Sequence, residues 1–299
     1  MNYLLHLGIY FFIYAIVAMS LNLVVGYCGL MTLAHAAYFA IGAYTYALLT
    51  LNLHWGFLPA CAFAVALAVI LSLAVSLPAW RFRGDLFLLI SLAMQALVFN
   101  LLCNWTSHDA PLGSWFNLTN GPFGIPGVPK PRFFAWRAES PHEFFLVALG
   151  LASSCSFIVW RLVSAPWGRL LKCLRDDELA TRAIGKNTRR AKCEAFAIAC
   201  GLSAVAGALY ASYVGYIDPS SASLDESILM LSMVIVGGVG NFKGPLVGAA
   251  VLIALPEILR FAHFSDSVAA NIRLLIYGLI LVLIAHLRPR GLAGEYRPK

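Results

Sequence analysis

Runs of apolar residues recur along the chain and are separated by short polar segments. A run of about 20 residues crosses about 30 Å of hydrocarbon as a helix, because the rise is about 1.5 Å per residue. A backbone inside hydrocarbon must satisfy its own hydrogen bonds, and the runs lack the alternation of barrel strands. The pattern therefore predicts nine helical spans, at residues 4–25, 30–51, 57–80, 86–104, 143–163, 194–216, 226–239, 245–262 and 268–287.

Composition agrees with this pattern, since 61% of the residues are hydrophobic, 12% are charged and the mean hydropathy is +0.80. The predicted fold is an all-α polytopic membrane protein with about 8–10 transmembrane helices. Residues 1–290 form one transmembrane domain and residues 291–299 form a tail. The seventh span is short and ends in GGVGNFKGP, a sequence that favours a broken or re-entrant helix.

Positive charge is distributed unequally between the two sides of the predicted membrane domain. The predicted spans place 16 of the 21 Lys and Arg residues on the side that carries the loop 164–193. The positive-inside rule makes this side cytoplasmic, which puts the N-terminus outside and the tail inside. The net charge of +7 is therefore a topology signal, and it predicts no nucleic-acid partner.

The loop 164–193 is the most highly charged segment of the sequence, yet it also contains leucine and alanine at helical spacing. This spacing predicts one or two short amphipathic helices. Asp176, Asp177 and Glu178 suit the N-terminus of a second helix, which Gly185 can close in the left-handed conformation. A loop that only fixes topology needs no apolar face, so the pattern indicates a docking surface for a partner in water.

Signatures of enzymes and of metal or cofactor sites are missing from the sequence. It contains no GxxxxGK[ST], no HExxH and no GxSxG, and its seven cysteines include no CxxC pair. We therefore expect no catalytic residue, no metal site and no cofactor. A protein of this kind that performs work must obtain the energy from another subunit.

Small residues recur every four positions in two of the predicted spans, which lets helices approach closely. The contact could lie within the subunit or against a second membrane subunit. The residues are Ser203, Gly207, Ala211 and Gly215 in the sixth span, and Gly240, Gly244 and Gly248 later in the chain.

Several polar residues lie within the predicted spans, where each must face protein or water because it is costly in lipid. They are candidates for lining a polar path through the membrane domain, although a neutral imidazole bonded between helices is an alternative for the histidine. The candidates are Asn22, Thr32, His35, Gln95, Asn100 and Ser227.

The charged loop resembles the cytoplasmic loop of ABC-importer permeases of the branched-chain amino-acid family, in its LivM-like form. Segments Gly26–Tyr44, Arg81–Asp85, Leu118–Pro129 and Gly215–Ala249 resemble the same family in the same order. The span 91–100 departs from the family, because it offers Gln95 and Asn100 where an acidic and a basic residue are common. The residues that carry the loop motif are Gly168, Arg169, Leu171, Arg175, Asp176, Asp177, Glu178, Ala180, Ala183 and Gly185.

This resemblance implies a permease subunit whose loop docks on a separate ATPase subunit in a bacterial inner membrane. It implies a second, LivH-like permease, two cytoplasmic ATPase subunits and a periplasmic or surface substrate-binding protein. Branched-chain amino acids are the implied substrates, with urea or short amides as alternatives within the family. An autonomous ion-coupled secondary transporter is the alternative from another class, although no paired carboxylates mark a coupling-ion site.

Overall fold

The computed structural model describes residues 2–79, 84–107, 111, 113–133, 136–260, 278–279 and 291–293. Helices make up most of this part of the chain. They are α1 (Asn2–Asn22), α2 (His35–Asn52), α3 (Phe57–Ala79), α4 (Gly84–Asn104), α5 (Pro141–Ser164), α6 (Pro166–Asp176), α7 (Glu178–Ala183), α8 (Thr188–Val214), α9 (Leu224–Gly237) and α10 (Gly244–Arg260).

Five of the described helical segments are long and apolar enough to cross a membrane, which confirms the prediction of an all-α polytopic membrane protein. Helix α10 contributes a shorter apolar segment, Gly244–Leu255. Most of the predicted ninth span, residues 268–287, lies outside the described residues, as do residues 81–83 and 294–299. The five segments are Tyr3–Tyr27, Phe57–Ser76, Leu86–Asn104, Pro141–Ser164 and Thr188–Val214.

The second span, predicted at 30–51, begins later than expected. Helix α2 starts at His35, and the preceding segment 28–34 is not helical. Its alternate residues Cys28, Leu30, Thr32 and Ala34 are buried, whereas Gly29 and Met31 are exposed. Gly29 lies in this segment with φ of +73°, in the left-handed region that favours glycine. Helix α1 before it ends in a π-helical turn, Leu23–Tyr27. Irregular backbone within a membrane domain is tolerated where it packs against protein, as the buried half of this segment does.

Helices α2 and α8 form the centre of the bundle, packed against each other and against α3 and α1. Fourteen of the 18 residues of α2 are buried, so this helix contacts protein on almost every face. By contrast, less than a third of the apolar window of α3, α4 or α5 is buried. Those three helices therefore lie at the periphery of the bundle, with most of their apolar surface uncovered.

The bundle has two ends with different structures. At the sheet end, β1 (Ile125–Pro126) pairs with β4 (Tyr216–Ile217), and β2 (Arg132–Phe133) pairs with β3 (Trp136–Arg137), both antiparallel. At the opposite end, which we term the charged end, α6 and α7 connect α5 to α8. The two ends are separated by the whole length of α8, which starts after α7 and ends before β4.

Candidate functional site

Helix α6 is anchored to the charged end by its apolar side. Pro166 occupies its first turn, where the missing N–H costs nothing. Gly168 is buried so closely against the Val163 carbonyl that a Cβ would collide with it. Leu171 and Leu174, three residues apart, are buried beneath the helix. The sequence thus places a short amphipathic helix flat against the ends of its neighbours.

Arg175 connects α6 to the turn that follows α1. Its Nη1 donates to the Gly26 carbonyl at 2.8 Å, and its Nε donates to Asp176 Oδ1 at 3.2 Å. The side chain is only 11% exposed. Nearby, the ammonium of Lys172 lies 5.6 Å from the centre of the Tyr27 ring. The motif arginine is therefore a structural link between α6 and the π-helical turn.

Helix α7 begins and ends where the sequence predicted a second loop helix. The Asp177 carboxylate accepts from the Ala180 amide at 2.9 Å and caps its N-terminus. Gly185, with φ of +79°, follows its last turn, and its amide donates to the Arg182 carbonyl at 2.9 Å. Asp177 and Gly185 therefore define the two ends of the helix.

Glu178 clamps α7 to the start of α8. Its carboxylate accepts from Lys192 Nζ at 2.7 Å, from Arg182 Nη2 at 3.2 Å and from Thr188 Oγ1 at 3.3 Å. Partial burial alone would raise the pKa of Glu178, but the hydrogen bond and charge of Lys192, with the charge of Arg182, lower it below the ordinary value of 4.5. The ionised carboxylate is thus the form that the loop stabilises.

Apolar side chains of α7 remain uncovered at the charged end. Leu179 is 76% exposed and Ile184 is 70% exposed, and Ala180 and Ala183 are exposed beside them. We term these four residues the α7 apolar surface. Of the remaining motif residues, Arg169, Asp176, Asp177 and Gly185 are also exposed. Leu179 and Ile184 were absent from the predicted site, because the family motif does not specify those two positions.

The first small-residue ridge faces α2 within the same subunit. Ser203 Oγ donates to the His35 carbonyl at 3.2 Å, and a Cβ on Gly207 would collide with the Phe39 carbonyl. Ala211 is fully buried on the same side of α8. Gly215 has a different role, since its φ of +73° closes the C-terminus of α8. The ridge thus brings α2 and α8 into backbone contact.

The later glycines serve the contact between α9 and α10. A Cβ on Gly248 would collide with the Met233 carbonyl, and one on Gly244 with the Gly238 carbonyl. Gly240 lies in the connecting loop with φ of +77°. Its amide donates to Asn22 Oδ1 at 3.0 Å, and Asn22 Nδ2 donates to the Asn241 carbonyl at 2.9 Å. The α9–α10 loop is therefore fastened to the end of α1.

Three of the candidate path residues cap the buried N-terminus of α2. The first amides of a helix have no partner within the helix. Gln95 Oε1 accepts from the Ala37 amide at 2.9 Å, Ser227 Oγ from Ala36 at 3.3 Å, and Thr32 Oγ1 from Ala34 at 3.2 Å.

The Gln95 side chain also fixes the depth of the segment before α9. Its Nε2 donates to the carbonyls of Ala222 and Ser223, the latter at 3.0 Å. Gln95 lies at the middle of the span Leu86–Asn104. The short 3₁₀ helix Pro219–Ala222 and the start of α9 therefore lie about halfway through the bundle.

His35 and Asn100 occupy contrasting environments. His35 is fully buried, and its Nε2 lies 3.2 Å from Ser20 Oγ, a hydrogen bond between helices α1 and α2. Asn100 is exposed, and its Nδ2 donates to the Ala96 carbonyl one turn earlier in α4. The structure thus gathers Thr32, His35, Gln95 and Ser227 around the start of α2 and leaves Asn100 apart.

Sequence reasoning missed a second group of polar residues, centred on Glu226. The hydroxyl of Tyr14 lies 3.4 Å from Glu226 Oε2, Tyr10 lies beside Tyr14, and Tyr210 lies beside Tyr10. The predicted span 226–239 placed this glutamate at a membrane boundary. The available signal was the sequence Asp218-Pro-Ser-Ser, which favours a turn before α9.

Two cavities open near the sheet end. One of about 610 Å³ is lined by His54, Lys130 and Arg132 among others, and one of about 370 Å³ by His6 and Lys130 among others. Their cations already contact the backbone, since Lys130 Nζ donates to the Glu139 carbonyl at 2.7 Å and Arg132 to the His54 carbonyl at 3.3 Å. Across the described ranges, no group of three or more His, Cys, Asp or Glu residues could hold a metal ion.

Comparison with known proteins identifies the family. Residues 3–285 match the family described as the permease component of branched-chain amino acid transport systems. The chain belongs to this family. A bundle with five membrane-crossing helices agrees with a membrane permease.

Individual relatives support the same family assignment. The chain is 32% identical to the high-affinity branched-chain amino acid transport system permease protein LivM of Escherichia coli (strain K12), over 96% of this chain and 69% of that protein. It is 32% identical to LivM of Salmonella typhimurium over the same shares. It is 24% identical to LivH of Escherichia coli (strain K12), over 94% of this chain and 91% of that protein. No solved structure matches the chain.

Proposed function

We propose that this permease is one transmembrane subunit of an ATP-driven importer and that the α7 apolar surface docks on a separate ATPase subunit. The observation that carries the proposal is the exposure of Leu179 and Ile184 at the end of the bundle where positive charge concentrates. Large apolar side chains exposed together mark an interaction site. This chain has no nucleotide-binding motif, so ATP hydrolysis belongs to the partner.

The subunit pairs with a second, LivH-like permease, and two ATPase subunits bind at the charged end. Its similarity to both LivM and LivH supports a pair of related permeases. A periplasmic or surface substrate-binding protein delivers the substrate to the sheet end, around β1 and β4. The names of the relatives support leucine, isoleucine and valine as substrates.

The bilayer is a bacterial inner membrane, with the charged end in the cytoplasm, the N-terminus outside and the tail 291–299 inside. The excess of Lys and Arg near the charged end supports this orientation. Residues 1–290 act as one transmembrane domain. Within the charged end, Gly291–Ala293 packs against the end of α9, where Leu292 and Ala293 donate to the Val236 and Gly237 carbonyls, each at 2.9 Å.

Hydrogen bonds provide a route for motion from the ATPase to the spans. A displacement of α7 moves α6, and Arg175 passes the displacement to the Gly26 carbonyl after α1. Asn22, one turn earlier, holds Gly240 and Asn241 in the α9–α10 loop. Closure of the ATPase subunits thereby shifts the end of α1 and the α9–α10 pair together.

The test is a pull-down of the tagged subunit with its ATPase partner, followed by leucine uptake into proteoliposomes. The variant L179E/I184E places two charges on the α7 apolar surface and should lose the ATPase and more than about 90% of uptake, as desolvated interface residues do. Phe116→Glu is the matched control, because Phe116 is 74% exposed at the sheet end. It should retain the ATPase.

Retention of the ATPase by L179E/I184E would overturn the docking proposal. Uptake by the purified chain alone, driven by an ion gradient without ATP, would favour a secondary transporter. Transport of urea or short amides, with no uptake of leucine, would overturn the substrate assignment and leave the coupling mechanism intact.

A further inference from the structure

Glu226 lies about midway through the bundle. Its carboxylate is 3.4 Å from the hydroxyl of Tyr14, which lies near the middle of the span Tyr3–Tyr27. The next residue, Ser227, accepts a hydrogen bond from Ala36 at the buried start of α2. An ionisable side chain at this depth is costly and marks a functional site, with a partner to be identified.

Capping of α9 does not account for the position of the Glu226 carboxylate. At the start of α5, Ser140 and Glu143 form a reciprocal capping box. Ser223 and Glu226 have the same spacing, but the Ser223 amide donates to the Ser220 carbonyl at 2.9 Å instead. The Glu226 carboxylate lies beside the Tyr14 hydroxyl instead of the Ser223 amide. The dipole of α9 favours the charge of this carboxylate but supplies no cation.

The tyrosine that contacts the carboxylate, Tyr14, belongs to a group of packed tyrosine rings. The rings of Tyr10 and Tyr14 are stacked 6.5 Å apart, and Tyr10 lies 6.1 Å from Tyr210, edge to face. Tyr14 alone of the three has its hydroxyl at 3.4 Å from the carboxylate, and the other two rings extend the group from Tyr14. None of the ion pairs within the described residues includes Glu226. We term Tyr10, Tyr14, Tyr210 and Glu226 the tyrosine–glutamate face.

The face continues to the sheet end as a stripe of polar aromatic residues. Tyr213 lies 5.8 Å from Tyr10, and its hydroxyl is 2.6 Å from His6 Nδ1. His6, Tyr10 and Tyr213 line the cavity of about 370 Å³. The stripe therefore connects an opening at the sheet end with Glu226 at mid-depth.

We propose that the tyrosine–glutamate face binds the ammonium group of the transported amino acid halfway across the membrane. Tyrosine rings attract an ammonium ion through their faces, and a carboxylate neutralises its charge. Hydroxyl oxygens accept its remaining hydrogen bonds. The inference rests on the proposed function, because it takes an amino acid as the substrate. It assigns Glu226 as a specificity residue that rejects solutes without a cationic group.

The experiment uses the complete importer in proteoliposomes and measures leucine uptake and ATP hydrolysis together. Glu226→Gln keeps the shape of the side chain and removes its charge, so leucine transported per ATP should fall about tenfold or more. ATP hydrolysis should remain within about twofold, because the face is remote from α7. Asp225→Asn is the matched control, since Asp225 is the exposed neighbour in the same turn. It should transport as the wild type does.

A second pair of variants separates a cation-binding role from a structural one. Tyr10→Phe keeps the aromatic face and should retain most uptake, whereas Tyr10→Leu should lose several-fold in leucine transported per ATP. Normal leucine transport per ATP in Glu226→Gln would overturn the inference. A parallel loss of uptake and hydrolysis in Glu226→Gln, with equal effects of the two Tyr10 variants, would also overturn it.

The outcomes are distinguishable from a failure of the proposed function. If the wild-type importer carries no branched-chain amino acid, the proposed function fails. If the wild type imports leucine and Glu226→Gln does so equally well for each ATP hydrolysed, only the present inference fails.

Discussion

Gln95 joins three segments that are far apart in the sequence. Its side chain accepts from the start of α2 and donates to the carbonyls of Ala222 and Ser223. The residue is almost completely buried, so each of these groups depends on it. A polar residue in a span can therefore stabilise the fold without contacting a substrate.

Replacing Gln95 with leucine should lower the free energy of unfolding by about 2–4 kcal/mol, because buried donors and acceptors lose their partners. The measurement is thermal unfolding of the purified subunit in detergent. Asn100→Leu in the same helix is the control and should have little effect, since Asn100 is exposed and bonds only within α4. Equal losses in the two variants would contradict the capping role.

Glu178 should make the charged loop sensitive to acid. Its pKa is lower in the folded protein than its ordinary value of 4.5. The stabilisation is therefore fully present above that ordinary value and is lost as the pH falls through the lower, folded value. Hydrogen exchange of the α7 amides, corrected for intrinsic rates, should accelerate over this acidic range.

The same exchange measured in Glu178→Gln should lose the part of this pH dependence that Glu178 contributes, because its carboxylate is no longer present to titrate. This variant should also open α7 at neutral pH, since the links to Lys192 and Arg182 weaken. Substitutions of Glu178 therefore disturb the loop itself, and variants of the exposed Leu179 test docking more directly.

The polar residues within the spans could be found from sequence, but their partners could not. Gln95 bonds a residue 58 positions away, and Ser227 bonds one 191 positions away. Hydropathy reports the cost of a polar side chain in lipid and not the group that compensates it. For the same reason, hydropathy did not reveal that Glu226 lies midway through the bundle. Its position depends on the turn before α9, which the hydropathy pattern did not locate.

At the scale of helices, the contact between α2 and α8 depends on the absence of side chains. Gly207 meets the Phe39 carbonyl and Gly42 meets the Ala204 carbonyl, so the two backbones touch. The four-residue spacing of small residues in α8 predicted the α8 side of this contact. The predicted spans left residues 26–29 between helices, but the extension of this break through residues 30–34 was not predicted, because that stretch is apolar enough to belong to a span.

Gly207→Ala should destabilise the subunit by about 1–3 kcal/mol, because the added methyl group forces the two helices apart. Gly150→Ala is the matched control, since a Cβ there meets nothing within 4 Å. It should be neutral or stabilising by up to about 1 kcal/mol, as alanine favours a helix. The melting temperatures of the two purified variants give the comparison. A Gly207→Ala variant as stable as the wild type would contradict the close contact.

At the scale of the whole molecule, the charged end gathers segments from both ends of the chain. The turn after α1, helix α6, the α9–α10 loop and Gly291–Ala293 meet there. Asn241 Nδ2 donates to the Ala293 carbonyl at 2.6 Å and adds to the two backbone bonds on the end of α9.

A chain that stops after residue 290 should therefore lose the cap on α9. Its free energy of unfolding should fall by about 1–3 kcal/mol, because the carbonyls at the end of α9 are left unpaired. A chain that stops after Ala293 keeps these bonds and is the control. Thermal unfolding of both truncated subunits gives the comparison. Equal stability of the two chains would show that residues 291–293 contribute no cap.

The enclosure of α2 also constrains how the chain enters the bilayer during synthesis. This helix contains His35 and several tyrosines and threonines, and it is not among the segments apolar enough to cross a membrane by composition. Its partner α8 is translated more than a hundred residues later. The insertion machinery must therefore shelter α2 against α1 and α3 until α8 arrives, so late arrival of α8 would leave the chain open to proteolysis.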